Sequence, residues 1–312
     1  MDETRELRVA AVQLRCVDGD VTGNLARAEP LVDEACRQGA ELVLLPELLG
    51  AGYDLSAALW DSAEASDGGP TARWLSRNAA RHSTYLGTTF LEASEGDYFN
   101  TFVLCGPNGD ELFRVRKSKP AAVEAYRFAG APGPRVHDTP IGRVGVSICY
   151  EGFLGETVRS LAREGAEIVL MPHSAPTPTK AVGVADADLA EYDDAIRTTA
   201  RNMAVALGVP TVMANKVGPW RTKPPWPFPT ESSRFPGLSA IARANGELAG
   251  QLGDEEGVLV AKVVLGAAGR KNVPELPTGK WVRRPPKLFR LFVFSETLGG
   301  ASYRLFRKRP QR

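Results

Sequence analysis

The chain has 312 residues, 43% apolar and 24% charged, with 38 basic and 37 acidic side chains and a net charge of +1. That composition supports a packed core of one large α/β domain or two small ones and argues against disorder. Charge parity excludes the strongly basic balance of a nucleic-acid binder, and no apolar run nears the roughly 20 residues that span a bilayer.

The opening Met1-Asp2-Glu3-Thr4-Arg5 is polar and lacks the apolar core of a signal peptide. Leu7–Leu14 then reads as a β-prone strand, and Asn24 as the cap of a helix that Gly39 ends. Ala40–Leu45 is apolar apart from Glu41, as expected of a strand covered on both faces, and is stopped by Pro46 with Glu47 at its C-terminal end. A helix is predicted over 70–81. Strands follow at 85–91 and 100–105, joined by the polar 94–97 turn, and Asn108-Gly109 turns the chain into a strand over 112–116. Next come Lys117-Ser118-Lys119-Pro120, a short segment carrying Glu124, and a Gly/Pro loop at 130–134.

Gly142–Ile148 is a short strand that stops at Cys149, just before a polar turn; in open α/β sheets reacting groups gather at that end of a strand. A helix over 156–164 leads into Gly165-Ala166-Glu167-Ile168-Val169-Leu170-Met171-Pro172-His173, a near repeat of 39–47. Two such units imply two similar halves stacked sheet on sheet with helices outside, His173 taking in one half the place of Glu47 in the other. A helix over 187–207, a strand over 211–215, a Pro- and Trp-rich segment over 219–236 unsuited to regular structure throughout, and strands at 238–243 and 258–264 complete the core. The sequence divides into a domain over 1–270 and an extension over 271–312, in which Trp281–Phe294 and Arg307-Lys308-Arg309 are basic and aromatic.

A thiol nucleophile requires a base and a cationic or donor-rich pocket for the oxyanion formed on attack. Glu47, Lys117 and Cys149, each at the end of a strand, supply those three chemistries. Taken singly, a buried structural cysteine, a solvated carboxylate and a surface lysine would account for them. Together, Leu45-Pro46-Glu47, Arg116-Lys117-Ser118-Lys119-Pro120 and Val146-Ser147-Ile148-Cys149-Tyr150-Glu151 resemble the Glu, Lys and Cys motifs of the nitrilase, or carbon–nitrogen hydrolase, superfamily, with the likeness running from about Leu7 to Val264.

The resemblance implies an α/β fold, a four-layer αββα sandwich. It makes Cys149 the nucleophile, Glu47 the general base and Lys117 the stabiliser of the tetrahedral intermediate, helped by the backbone N–H of Tyr150. Glu124 matches a second glutamate of the family, and His173 is assigned to substrate contact or support. Lys119 is the rival to Lys117. No metal and no cofactor are required. The implied reaction is hydrolysis of a small-molecule amide or N-carbamoyl group through a thioester; nitrile hydrolysis and acyl transfer by the same triad remain open. Cys149-Tyr150-Glu151 stands where true nitrilases carry Cys-Trp-Glu, which favours amide or carbamoyl chemistry. A Cys–His hydrolase using His173 and an inactive binding module are the rival readings, while His82 and His137 read as structural.

The four cysteines (Cys16, Cys36, Cys105 and Cys149) lack CxxC or metal-ligand spacing, so reduced thiols and a cytoplasmic location are expected. A homo-oligomer is expected, without nucleic acid as a partner. The extension is expected to bury its aromatics across a neighbouring subunit; its alternative is contact with an anionic membrane surface. The Trp220–Phe228 loop either lines the pocket or is a surface excursion.

Overall fold

The computed structural model describes residues 4–178, 184–226, 228–266 and 275–307. The expected boundary at 270/271, Thr179, and Lys308 and Arg309 of the basic cluster lie outside the described residues. In chain order the strands are β1 (Arg5–Gln13), β2 (Leu42–Leu44), β3 (Glu64–Ala65), β4 (Tyr85–Ser94), β5 (Asp97–Cys105), β6 (Glu111–Arg116), β7 (Val136–Thr139), β8 (Gly142–Val146), β9 (Ile168–Pro172), β10 (Thr211–Ala214), β11 (Val217–Thr222), β12 (Glu231–Pro236), β13 (Ala240–Ala242), β14 (Leu248–Gln251) and β15 (Gly257–Leu265). The α-helices are α1 (Val21–Arg37), α2 (Pro70–His82), α3 (Gly155–Arg163), α4 (Asp186–Leu207) and α5 (Leu288–Phe306).

Two sheets face each other. One runs β15-β1-β2-β4-β5-β6, with β3 beside β4; the other runs β14-β13-β10-β9-β8-β7. Strand period decides what each side chain meets. In β1, Leu7, Val9 and Ala11 enter the core between the sheets, while Ala10 and Val12 meet α1 and α2 through Leu25, Val32, Trp74 and Leu75. In β9, Ile168 and Leu170 point inward, and Val169 and Met171 pack on Val158 and Leu161 of α3 and Met203 of α4. The resulting layers are helix, sheet, sheet, helix. The central strands lie between two apolar layers, which is why their sequences are continuous rather than alternating.

The two repeated units converge. β2 and β9 each sit inside their sheet, and past their ends the backbone N–H of Glu47 donates to the carbonyl of His173 at 3.1 Å. The Glu47 end of one half is thereby set against the corresponding strand end of the other.

One local expectation changes and two segments gain detail. Helix α1 starts earlier than Asn24: Asp20 caps it, accepting the Gly23 N–H at 3.0 Å. Asn24 is buried inside the first turn, where its amide bonds to Val17 and to Gly50. The ends of the 219–236 segment pair as the ribbon β11–β12; a two-stranded ribbon has free edges, so Pro219 and Pro236 need not interrupt a ladder. The extension forms α5; its Trp281, Phe289 and Phe292 pack within the chain itself, whereas Phe294 and Phe306 are exposed. Phe289 is buried against Tyr150, Phe153, Tyr192 and Trp281, with ring centroids 4.8–5.7 Å apart.

Candidate active site

Glu47 follows the break that Pro46 imposes after β2, and its carboxylate is fully buried. One oxygen accepts from Asn100 Nδ2 at 2.7 Å and Lys117 Nζ at 2.8 Å; the other accepts the Ser174 N–H at 2.7 Å. Lys117 leaves the end of β6, its N–H bonded to the Asn100 carbonyl. Its ammonium also meets Glu124 at 2.7 Å. Glu124 lies in the 3-10 helix Ala122–Tyr126, where it accepts from the Tyr53 hydroxyl at 2.6 Å and the Ala121 N–H at 2.7 Å. Lys119 is 53% exposed and reaches Glu156 only at 3.8 Å. Of the two lysines, Lys117 is the one that the fold brings to Glu47.

Cys149 stands three residues beyond the end of β8, as the first residue of the 3-10 helix Cys149–Phe153. Its φ is +52°, in the left-handed region, a conformation costing about 1–3 kcal/mol for a side-chain-bearing residue unless its surroundings enforce it. Glu151 enforces it. Its buried carboxylate accepts from the Ile148 N–H at 3.1 Å and the Ser118 N–H at 2.8 Å, and pairs with Arg135 at 2.7 Å. One side chain therefore ties the cysteine turn to the loop that follows Lys117. Burial would raise the Glu151 pKa, but the Arg135 guanidinium and the backbone donors outweigh it and hold it down at about 2.

Charge in the cluster follows from the same accounting. Burial opposes the Lys117 ammonium, yet Glu124 and Glu47 outweigh it and carry its pKa well above the ordinary lysine value. Burial, and then the Glu47 charge, push the Cys149 thiol well up, with Lys117 opposing. Burial also raises Glu124, partly offset by Lys117. At neutral pH the resting sulfur is a thiol, and its proton needs a base before the sulfur can attack. Cys149 is 6% exposed, so this happens in a nearly dry site.

Tyr150 turns its ring away from the cluster, onto Trp281, Phe289 and Phe292 at 5.7–6.0 Å. His173 is fully buried, its backbone docked on Glu47, and neither ring nitrogen has a hydrogen-bond partner among the described residues. Burial lowers its pKa to about 4. Trp220 is buried, its ring N–H donating to the Tyr53 carbonyl at 2.8 Å, whereas Trp226 is exposed. Asn100, Ser174, Tyr53 and Arg135 stand outside the three sequence motifs. Each acts across a long sequence separation and carries no local motif; Glu151 lay inside the cysteine motif without an assigned role.

The family model described as carbon-nitrogen hydrolase matches residues 8–271. N-carbamoylputrescine amidase of Solanum lycopersicum is 29% identical over 314 residues, covering 96% of this chain and 98% of that protein. Citrullinase of Francisella tularensis subsp. tularensis is 30% identical over 174 residues, 53% of this chain and 60% of that protein. Among solved structures, a carbon-nitrogen hydrolase from Helicobacter pylori G27 superposes with a TM-score of 0.72 at 22% identity, covering 83% of this chain and 89% of that one. An amidase from Nesterenkonia sp. superposes with a TM-score of 0.64 at 23% identity, covering 84% and 90%. At these identities the superpositions speak for the fold alone.

Proposed function

This chain belongs to the carbon-nitrogen hydrolase family, and from that premise we propose that Cys149, Glu47 and Lys117 hydrolyse the amide or N-carbamoyl group of a small molecule through a covalent thioester. The observation that carries the reading is the buried Glu47–Lys117–Glu124 charge cluster beside a cysteine held at positive φ.

Glu47 takes the thiol proton as Sγ attacks the carbonyl carbon, so the C–S bond forms and the carbonyl π pair moves onto oxygen. The Lys117 ammonium, kept charged by Glu124, and the Tyr150 N–H stabilise that oxyanion. Glu47 returns the proton to the departing nitrogen as the C–N bond breaks, leaving the acyl group on sulfur. It then removes a proton from water, which attacks the thioester and restores the thiol. For an amide the products are ammonia or an amine and a carboxylic acid. For an N-carbamoyl group the acyl enzyme is a thiocarbamate, hydrolysed to carbamate, which decomposes to carbon dioxide and ammonia.

The relatives named for N-carbamoylputrescine and citrulline support the carbamoyl side of this reading. Nitrile hydrolysis and transfer of the acyl group to an amine would use the same residues. A cytoplasmic, homo-oligomeric enzyme is part of the proposal. The test is ammonia release from matched nitriles, amides and N-carbamoyl compounds, with mass spectrometry of the intact protein. Release abolished by Cys149→Ala and retained by Cys36→Ala is expected, with an acyl adduct on the wild type alone; release that survives Cys149→Ala would overturn the assignment.

A further inference from the structure

Helix α5 has two unlike faces. Phe292, Ser295, Gly299 and Tyr303 turn towards the body of the protein. The helix lies so close to the 3-10 helix Ala122–Tyr126 that a Cβ on Gly299 would stand 2.7 Å from the Ala125 Cβ and 2.8 Å from the Tyr126 ring. Tyr303 donates to Asp97 at 3.0 Å and accepts the Tyr98 N–H at 2.9 Å. This face is fully used.

The opposite face is not. Phe294, Leu298, Ala301 and Leu305 follow one another at helical spacing and are all exposed, Phe294 at 67% and Leu305 at 76%. Phe306 ends the helix, also exposed. A second exposed aromatic lies nearby in the fold: Trp226 is 90% exposed in a loop whose Phe228 packs edge-on against Tyr126, the residue that Gly299 also approaches. The loop and α5 therefore flank the same short helix.

Charge identifies what this surface suits. Residues 281–312 contain nine Arg or Lys and a single acidic residue, Glu296, a net +8 in a chain whose total is +1, so the preceding 280 residues sum to −7. Arg283, Arg284 and Arg304 are exposed; Lys287 is exposed too and pairs with Asp188 at 2.9 Å, while Glu296 is half-buried and faces Lys280. A helix with an exposed apolar stripe in a strongly basic segment is what lies flat in the headgroup region of an anionic bilayer, the aliphatic and aromatic groups inserting and the cations meeting phosphate. A two-fold contact through this stripe would instead bring two copies of the same basic segment together. No described helix is long and apolar enough to cross a membrane, consistent with lying on the surface.

We infer that the outward face of α5, together with Trp226, docks the protein on an anionic lipid bilayer. The inference is independent of the proposed reaction, because none of these side chains belongs to the Glu47–Lys117–Cys149 cluster.

The full-length protein is to be sedimented with vesicles of phosphatidylcholine containing about one-third phosphatidylglycerol, and with phosphatidylcholine alone. Binding to the anionic vesicles at low salt is expected, weaker by about tenfold or more on the neutral ones and reversed by roughly 0.5 M salt. The variant Phe294→Ser/Leu298→Ser/Leu305→Ser should lose binding by about tenfold, while keeping the wild-type melting temperature and the wild-type rate on a soluble substrate. Absence of wild-type binding at low salt would overturn the inference, as would undiminished binding by the triple variant. So would a triple variant whose mass, by light scattering, falls to a fraction of the wild type's, since that places a second copy on the stripe.

Discussion

Cys149 carries two costs at once: a positive φ and a thiol whose pKa burial and Glu47 drive upward. The first makes the turn depend on the groups that hold it, and the second disfavours a free thiolate. Lys117 is the reverse case, a fully buried cation kept charged because two carboxylates face it. His173 lies buried beside Glu47, with neither ring nitrogen partnered among the described residues. With a pKa near 4, below the ordinary imidazole value, it is neutral across pH 5–8 and cannot supply a titrating base there. The expected outcome for His173→Asn is a kcat/KM profile over that range with the wild-type shape, at whatever level the substitution leaves. An acid limb near pH 6–7 present in the wild type and missing in the variant would instead make His173 the base. The imidazole also bears on stability: the unfolded chain takes up its proton near pH 6.5 and the folded one near 4, so this group withdraws stability as pH falls through that interval.

At the scale of elements, the cysteine turn and the lysine loop form one unit because Glu151 bonds to both and to Arg135. Removing one partner of a buried pair leaves the other charge uncompensated, which costs about 3–5 kcal/mol. Glu151→Gln should therefore lower stability by about that amount at pH 7, measured by denaturant unfolding. The folded pKa of Glu151, about 2, lies below the unfolded value of 4.5. Its contribution is thus complete above about pH 4.5 and is lost as pH falls towards 2, so the gap between wild type and variant should narrow over that interval. A gap unchanged on acidification would show that the carboxylate's charge is not what holds the turn.

For the whole molecule, the extension matters as a wall. Phe289 joins α5 to Tyr150, the residue next to Cys149, and to Tyr192 of α4. Phe289→Ala should cost about 3–5 kcal/mol, the usual range for a buried phenylalanine, whereas Phe294→Ala on the exposed face should stay within about 0.5 kcal/mol. Equal effects of the two substitutions on chemical denaturation would contradict the two-faced reading of α5. The basic charge of this segment against the acidic remainder gives the molecule a polarity that its near-zero total conceals.

The sequence by itself determined what local chemistry can encode. Continuous apolar strands stopped by Pro46 and Cys149, the duplicated Gly39–Glu47 and Gly165–His173 units and the three motifs together pointed to an αββα hydrolase, because strand burial and strand termination leave a signature within a few residues. Only the tertiary structure decided which partners those residues keep. Asn100 on Glu47, Tyr53 on Glu124 and Arg135 on Glu151 are set by the facing of two sheets and by loops far apart in the chain. The choice of Lys117 over Lys119 for the Glu47 contact, and the division of α5 into a packed face and a bare one, were likewise settled by three-dimensional packing. Side chains two residues apart, or adjacent on one helix, have the same composition and charge but opposite exposure, and exposure is a property of what the fold lays against them.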